Sequence, residues 1–298
     1  MIRKFRFCFV LLPAIIWLVC MSLNTNLALA VDKIPLTVAT VCMNAKIDTQ
    51  ANLQTFFYYM KEASAKGAHL IVFPEIALQQ NPAWSGLWYK PTQQELDYVR
   101  SSAETIPGSS TEKLVDKAKE LNIYVVFGMT ETSPNDDALY NSSVFLGPNG
   151  IIGKYRKINL WRGGHEDLCW QPGNEHGIFD SPIGKIGLII CMDLTQFLGP
   201  TLAHKGADLL VTAAAWPRSY GSLYETRTKE NALQAKRWHI VSNQVGSVGH
   251  TEDYGHSRII DPNGNIIADT GNQEGIAIAE TDILIDAKIV GVDGSENQ

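Results

Sequence analysis

A cysteine, a lysine and a glutamate carry the chemistry this sequence could perform. Cys191 ends the apolar run "KIGLII", Glu75 follows "LIVFP", and Lys157 follows "IIGKYR". Each stands at the end of a strand-length apolar run, where α/β proteins collect ligands and reactive groups. Singly they are ambiguous, because a free cysteine packs as a small hydrophobe and a glutamate after a strand is commonly solvated. Together they make a nucleophile with its helpers. A thiol attacks as thiolate, and a nearby cation or helix N-terminus lowers its pKa. Lys157 is expected to supply the cation and a helix opening after Met192-Asp193 the dipole. Glu75 is expected to carry a proton from the thiol to a leaving amine.

The elements that must position these groups alternate between helix and strand. Leu53, Phe56, Phe57 and Met60 keep the spacing of an amphipathic helix, expected from near Asp48 to Gly67. Residues 69–73 then read as a strand. Ser109 with Glu112 has the capping-box pattern of a second helix, with Leu114, Val115, Ala118 and Leu121 on one face. Residues 123–129 read as a buried strand. Hairpin turns are expected at "GPNG", flanked by residues 144–146 and 151–155, and at "DPNG", flanked by Ile259-Ile260 and Ile266-Ile267. "KGAHLIVF" at Lys66 is echoed by "KGADLLVT" at Lys205, so the two halves share a local pattern without the constant spacing of a repeat. No Pro/Gly/Ser linker divides the chain. Residues 31–298 are therefore predicted to form one α/β domain of mixed strands covered by helices, with a C-terminal tail from about residue 286 that is polar at its tip.

The 298 residues carry a net charge of −6, with acids and bases interspersed. No basic stripe is present to hold phosphates, which disfavours nucleic acid as a partner. Arg3, Lys4 and Arg6 precede an apolar stretch over residues 7–21, and Ala28-Leu29-Ala30 offers small residues to signal peptidase. Residues 1–30 are thus expected to be a secretory signal cleaved after Ala30, which places the mature protein in the periplasm. The alternative is an uncleaved anchor, but the stretch is shorter than the ~20 residues that span a bilayer, so no stable membrane insertion is expected after cleavage. Leu18-Val19 also lack the small residue that precedes a lipidated cysteine. The mature chain keeps Cys42, Cys169 and Cys191. An odd number in an oxidising compartment leaves a free thiol or an intermolecular bridge, and a nucleophilic Cys191 accounts for it.

"VFPEIAL", "GKYRKINL" and "GLIICMDL" resemble, in order, the three catalytic blocks of the nitrilase, or carbon-nitrogen hydrolase, superfamily. The similarity continues in "KGADLLVTAAAWP", "RTKENALQAKRWHIVSNQVG" and "SRIIDPNGNIIA", and so spans nearly all of the mature chain. The resemblance implies an α-β-β-α sandwich whose subunits pair into a homodimer or higher homo-oligomer, and a triad of Glu75, Lys157 and Cys191. It also implies a second glutamate shortly before a Pro-Gly. Glu166 precedes Pro172-Gly173 as that pattern requires, whereas Glu175 follows it and reads as a solvated loop acid. In the implied mechanism Cys191 attacks an amide carbonyl, and Lys157 and the Met192 N–H hold the oxyanion. Glu75 protonates the leaving nitrogen and then activates water, while Glu166 steadies Lys157 and the substrate amino group. Two carboxylates around one lysine should raise the proton affinity of Glu75.

Met192-Asp193 after the nucleophile is closer to the amidase and carbamoylase branches than the Trp-Glu of nitrile-cleaving members. The expected substrate is a small amide or carbamoyl compound. The alternatives are a nitrile, acyl transfer by the same triad, or a non-catalytic binding protein on this fold. Trp216 and Trp161 are the candidate pocket walls beside Met192. Trp84, Trp88 and Tyr89 either wall the substrate site or pack a dimer, and Arg162 or Arg218 either binds a substrate carboxylate or is a surface charge. His165, Cys169 and His176 match no regular zinc spacing, so neither a metal nor an organic cofactor is expected. His250 and His256 border the pocket, a subunit contact or solvent. Cys169 either bridges Cys42 or fills core. No G-x-S-x-G elbow supports a serine hydrolase.

Overall fold

The computed structural model describes residues 33–83, 89–249, 251–288 and 290. The expected signal segment, Trp84, Trp88, His250 and the tip of the tail lie outside the described residues. β1 (Lys33–Cys42) leads into α1 (Thr49–Ala65), which starts where the sequence predicts. Asp48 Oδ1 accepts from the N–H groups of Gln50 and Ala51 at 2.9 and 3.0 Å, satisfying donors that have no partner inside the helix. Gly67, at φ 76°, turns the chain into β2 (Leu70–Val72). α2 (Gln93–Ser102) goes beyond the predicted elements, although its capping box stands in the sequence. Thr92 Oγ1 accepts from the Glu95 N–H at 3.3 Å, and Glu95 Oε2 accepts from the Thr92 N–H at 2.7 Å.

α3 (Ser109–Leu121) forms as expected, but its cap differs. Ser109 already lies inside the helix and cannot cap it. The Gly108 N–H donates instead to Thr111 Oγ1 at 2.7 Å, and the Glu104 carboxylate accepts from the Ser110 N–H and hydroxyl at 2.8 and 2.6 Å. A meander of β3 (Tyr124–Thr132), β4 (Leu139–Gly147) and β5 (Gly150–Arg156) follows, with the GPNG turn joining the last two. The second half contains α4 (Glu166–Cys169), β6 (Gly177–Phe179), β7 (Ile186–Ile190), α5 (Leu198–His204) and β8 (Leu209–Ala214). It continues with α6 (Gly221–Ala235), β9 (Trp238–Asn243), β10 (Val245–Val248) and β11 (Thr251–Tyr254). The DPNG hairpin of β12 (Arg258–Ile260) and β13 (Ile266–Asp269) and the long β14 (Gly275–Asp286) complete the chain.

Two six-stranded sheets result, ordered β14-β1-β2-β3-β4-β5 and β6-β7-β8-β9-β12-β13. Read in these orders, both sheets run antiparallel, parallel, parallel, antiparallel, antiparallel. The echo between "KGAHLIVF" and "KGADLLVT" thereby has a structural cause, since β2 and β8 hold equivalent places in equivalent sheets. The two hairpins, β4–β5 and β12–β13, are equivalent in the same way.

The sheets face each other through Val38, Leu70, Val72 and Val126 on one side and Leu188, Ile190, Val211 and Ile240 on the other. Thr40 Oγ1 donates to the Val241 carbonyl at 2.9 Å and Ser242 Oγ to the Val41 carbonyl at 2.6 Å, which ties the two layers together. Leu53, Phe56 and Met60 of α1 and Leu114 of α3 cover the outer face of the first sheet, where Phe56 stacks on Phe73 at 4.0 Å. α5 and α6 cover the second sheet, which completes an α-β-β-α sandwich. The start of the expected tail belongs to this body: Asp286 pairs with Lys33, Ala287 and Val290 are buried, and Asn122 Nδ2 donates to the Val290 carbonyl.

Candidate active site

Glu75 lies just beyond β2, where the two sheets meet. Its N–H donates to the Ala214 carbonyl at 3.3 Å and its carbonyl accepts from Gln244 Nε2 at 2.8 Å, so β8 and the residue just after β9 hold its backbone on both sides. Its carboxylate is fully buried. Oε1 accepts from Asn141 Nδ2 and from Lys157 Nζ, each at 2.8 Å, and Oε2 accepts from the Ala215 N–H at 2.9 Å. Gly128 of β3 allows this approach, because a Cβ there would lie 2.4 Å from Ile76 N and 2.6 Å from Glu75 Cα.

Lys157 follows β5, and its Nζ also donates to Glu166 Oε1 at 2.6 Å. Glu166, the first residue of α4, uses its other oxygen to accept from the Trp161 N–H at 2.7 Å. Glu75, Lys157 and Glu166 thus form one buried ion network, while Glu175 is exposed. Burial by itself would strip the proton from Lys157, but the charges of Glu166 and Glu75 outweigh it and hold the amine above its usual range. The Glu75 carboxyl is pushed up, first by burial, with Glu166 adding and Lys157 opposing. Burial, and not the pair of carboxylates around one lysine, sets this direction, because Lys157 pulls down more strongly than Glu166 pushes up.

Cys191 sits at the end of β7 with φ 41°, a left-handed conformation that costs a non-glycine residue about 1–3 kcal/mol. The turn that requires it opens a 3-10 helix, Cys191–Gln196, so the cysteine begins the helical turn instead of preceding it. Asp193 fastens this turn to the lysine loop. It accepts from Tyr155 Oη at 2.8 Å, the Asn159 N–H at 3.0 Å, Asn159 Nδ2 at 2.8 Å and the Ile190 N–H at 3.1 Å. The expected lowering of the thiol pKa is not found. Burial first, then the Glu75 charge, push it well above the ordinary thiol value, against the pull of Lys157. Glu75 is the carboxylate whose charge the thiol feels most.

Cys191 opens into a cleft of about 80 Å³ lined by Trp161, Met192, Trp216, Pro217, Tyr220 and Leu223. The three expected wall residues, Met192, Trp216 and Trp161, are all there. Tyr220, edge-on to Trp161 at 6.0 Å, and Leu223 were not evident in sequence, because a 3-10 turn and the start of α6 fold them over the thiol. Arg218 is paired with Glu252 at 2.8 Å, exposed Arg162 lines a separate groove beside Met192, and Tyr89 donates to Glu95 at 3.4 Å. His256 packs on its own chain, stacked on Tyr254 and 3.0 Å from Asp269. Cys42, Cys169 and Cys191 are all free thiols, which corrects the disulfide alternative. Burial raises Cys42 to about 11 and Cys169 to about 12. Among the described residues no group of three or more His, Cys, Asp or Glu side chains is placed to hold a metal ion.

A buried acid–lysine–acid network beside a buried thiol, at the junction of two helix-covered sheets, describes a thiol hydrolase of the class the sequence resembles. Residues 37–285 match the model of the carbon-nitrogen hydrolase family, and the chain belongs to that family. It is similar to a nitrilase of Pyrococcus abyssi, at 32% identity over 83% of this chain and 90% of the relative. It is equally similar to the omega-amidase NIT2-A of Xenopus laevis, at 32% identity over 80% and 85% of the two chains. Among solved structures, Saccharomyces cerevisiae Nit3, a nitrilase-superfamily member, superposes with a TM-score of 0.71 at 25% identity, covering 86% of this chain and 91% of that one.

Proposed function

We propose that this carbon-nitrogen hydrolase is an exported amidase that cleaves a small amide or carbamoyl substrate through a thioester on Cys191. The observation that carries the reading is the fully buried Glu75, held by Lys157 at 2.8 Å, whose charge acts on a buried thiol held above its ordinary pKa. Glu75 accepts the thiol proton as sulfur adds to the carbonyl carbon. Lys157 and the Met192 N–H, in the first turn of the 3-10 helix where N–H groups have no partner within the turn, hold the oxyanion. Breaking the C–N bond sends the Glu75 proton to the leaving nitrogen, which departs as ammonia or an amine. Water then adds to the thioester and gives a proton to Glu75, and as the C–S bond breaks Glu75 passes that proton to sulfur, which releases the acid and restores the thiol. Glu166 steadies Lys157 throughout.

Similarity to an omega-amidase and Met192-Asp193 after the nucleophile support an amide over a nitrile; similarity to a protein named nitrilase keeps nitriles in the test. The basic and apolar segment before Ala30 supports export, and the family resemblance supports a homo-oligomer. Ammonia release from amides, carbamoyl amines and nitriles is measured for the mature protein and Cys191→Ala. Release from amides or carbamoyl compounds that vanishes in the variant is the expected result, and release from nitriles alone would overturn the substrate class. Export is tested by N-terminal sequencing of periplasmic protein, with Val31 expected first.

A further inference from the structure

Beside the thiol cleft lies a carboxylate that the mechanism does not use. Asp253 is 2% exposed, and among the described residues its side chain has no hydrogen-bonding or ionic partner. It stands opposite Pro217 in an antiparallel bridge, and residues opposed in this way put their side chains on one face. The register is fixed on both sides, by the Tyr254 N–H donating to the Trp216 carbonyl at 2.8 Å and by the Arg218–Glu252 ion pair on the opposite, solvent face. Pro217 lines the cleft with Cys191, so the bridge sets Asp253 next to the cleft wall, although it is not itself among the lining residues. Two residues back along β11, on the same buried face, Thr251 Oγ1 is also buried without a partner.

We propose that Asp253, assisted by Thr251, is a cation-recognising subsite, and that the substrate is a short amide or carbamoyl compound carrying an ammonium group. This rests on the amidase reading above and names its substrate class. An unpaired buried carboxylate is costly, and an incoming cation removes that cost. Burial first, then the charges of Glu75 and Glu252, push the Asp253 carboxyl well above the usual carboxylate range, as expected for an acid that lacks its counter-ion. One carboxylate and one hydroxyl offer too few oxygens for calcium, which takes six to eight, but suit the donors of an ammonium group.

Wild type and Asp253→Asn are offered amides in pairs of equal length, one ending in ammonium and one in methyl, with Tm recorded for both proteins. The expected kcat/KM for the ammonium amide is at least about 10-fold the higher in wild type, and Asp253→Asn brings the ratio to within about 3-fold of unity by raising the KM of that amide. Binding is read independently of turnover and of the variant's folding: butylammonium chloride should raise the wild-type Tm where 1-butanol and sodium chloride do not. Equal rates for both amides and no butylammonium shift would overturn the subsite and leave the amidase reading standing. A butylammonium shift that disappears in Asp253→Asn, with no amide cleaved, would keep the subsite and overturn that reading.

Discussion

Lys157 and Glu75, 82 residues apart in sequence, bring Nζ and Oε1 to 2.8 Å with neither side chain reached by solvent. The pair joins the end of the β4–β5 hairpin to the seam between the sheets, and Glu166 completes it at 2.6 Å. Removing one member of such a buried network leaves charge without compensation, so the network is sensitive to single substitutions.

Lys157→Met should destabilise the fold by about 3–5 kcal/mol, because Glu75 and Glu166 then lack a cation. Without it, the folded-state pKa of Glu75, already raised by burial, loses the opposing pull of the lysine and lies further above the unfolded value of about 4.3. The stability tied to its protonation is full below that value and is lost as pH rises through the raised pKa. The variant should therefore recover part of its deficit on acidification. Urea unfolding at pH 5 and pH 8 checks this, and an equal deficit at both would count against it.

The raised Glu75 pKa also sets a pH dependence for catalysis. Glu75 must be ionised to accept the thiol proton, so the acid limb of kcat/KM should fall above the ordinary glutamate value of about 4.3. The sign for stability is opposite to that for activity, since a raised carboxyl pKa weakens the fold as pH rises through it. A pH–rate profile with its limb at or below that ordinary value would refute the assignment.

At Cys191 the φ of 41° separates two variants that both lack the thiol. Glycine takes up this backbone freely and alanine does not, so Cys191→Gly should be more stable than Cys191→Ala by up to about 1 kcal/mol. Both should lose hydrolysis and labelling by iodoacetamide at this position. Chemical unfolding and peptide mass spectrometry provide the comparison.

Asp193→Ala removes the acceptor shared by Tyr155, Asn159 and Ile190. Buried donors left without a partner cost about 1–3 kcal/mol each in the worst case, so a clear fall in Tm is expected. The cysteine turn then loses its tie to the lysine loop, and kcat should fall at least about 10-fold, because small misplacements of reacting groups are costly.

Gly128→Ala places a methyl against backbone atoms of Glu75 and Ile76 that cannot rotate away. A loss of about 1–3 kcal/mol is expected from the overpacking, together with reduced kcat. Gly275→Ala, where an added Cβ meets nothing within 4 Å, is the control. Equal Tm and activity in the two variants would show that the close approach of β3 does not position Glu75.

The legible parts of this fold are those made by neighbours in sequence. Asp48 capping α1, Gly67 ending it, and the GPNG and DPNG hairpins each depend on a few adjacent residues. The α2 capping box at Thr92 and Glu95 was legible in the same way but outside the predicted elements. The cap of α3 was not, because Glu104, five residues before the helix, displaces the local pattern at Ser109. Site residues divide along the same line. Glu75, Lys157 and Cys191 announce themselves at the ends of apolar runs, whereas Asn141 holds Glu75 across 66 residues and Asp253 is set beside the cleft-lining Pro217 only by their bridge.

Sequence alone therefore determined which groups this protein can bring to chemistry, and the local elements that carry them, because hydrogen-bonding periodicity and turn chemistry act over a few residues. Tertiary structure decided how close those groups stand and how dry they are. The thiol pKa turns on that second point: the expected nearby Lys157 cation suggested a lowered value, and burial together with the Glu75 charge raises it instead. Desolvation arises from everything packed around a group, and no short stretch of sequence encodes it.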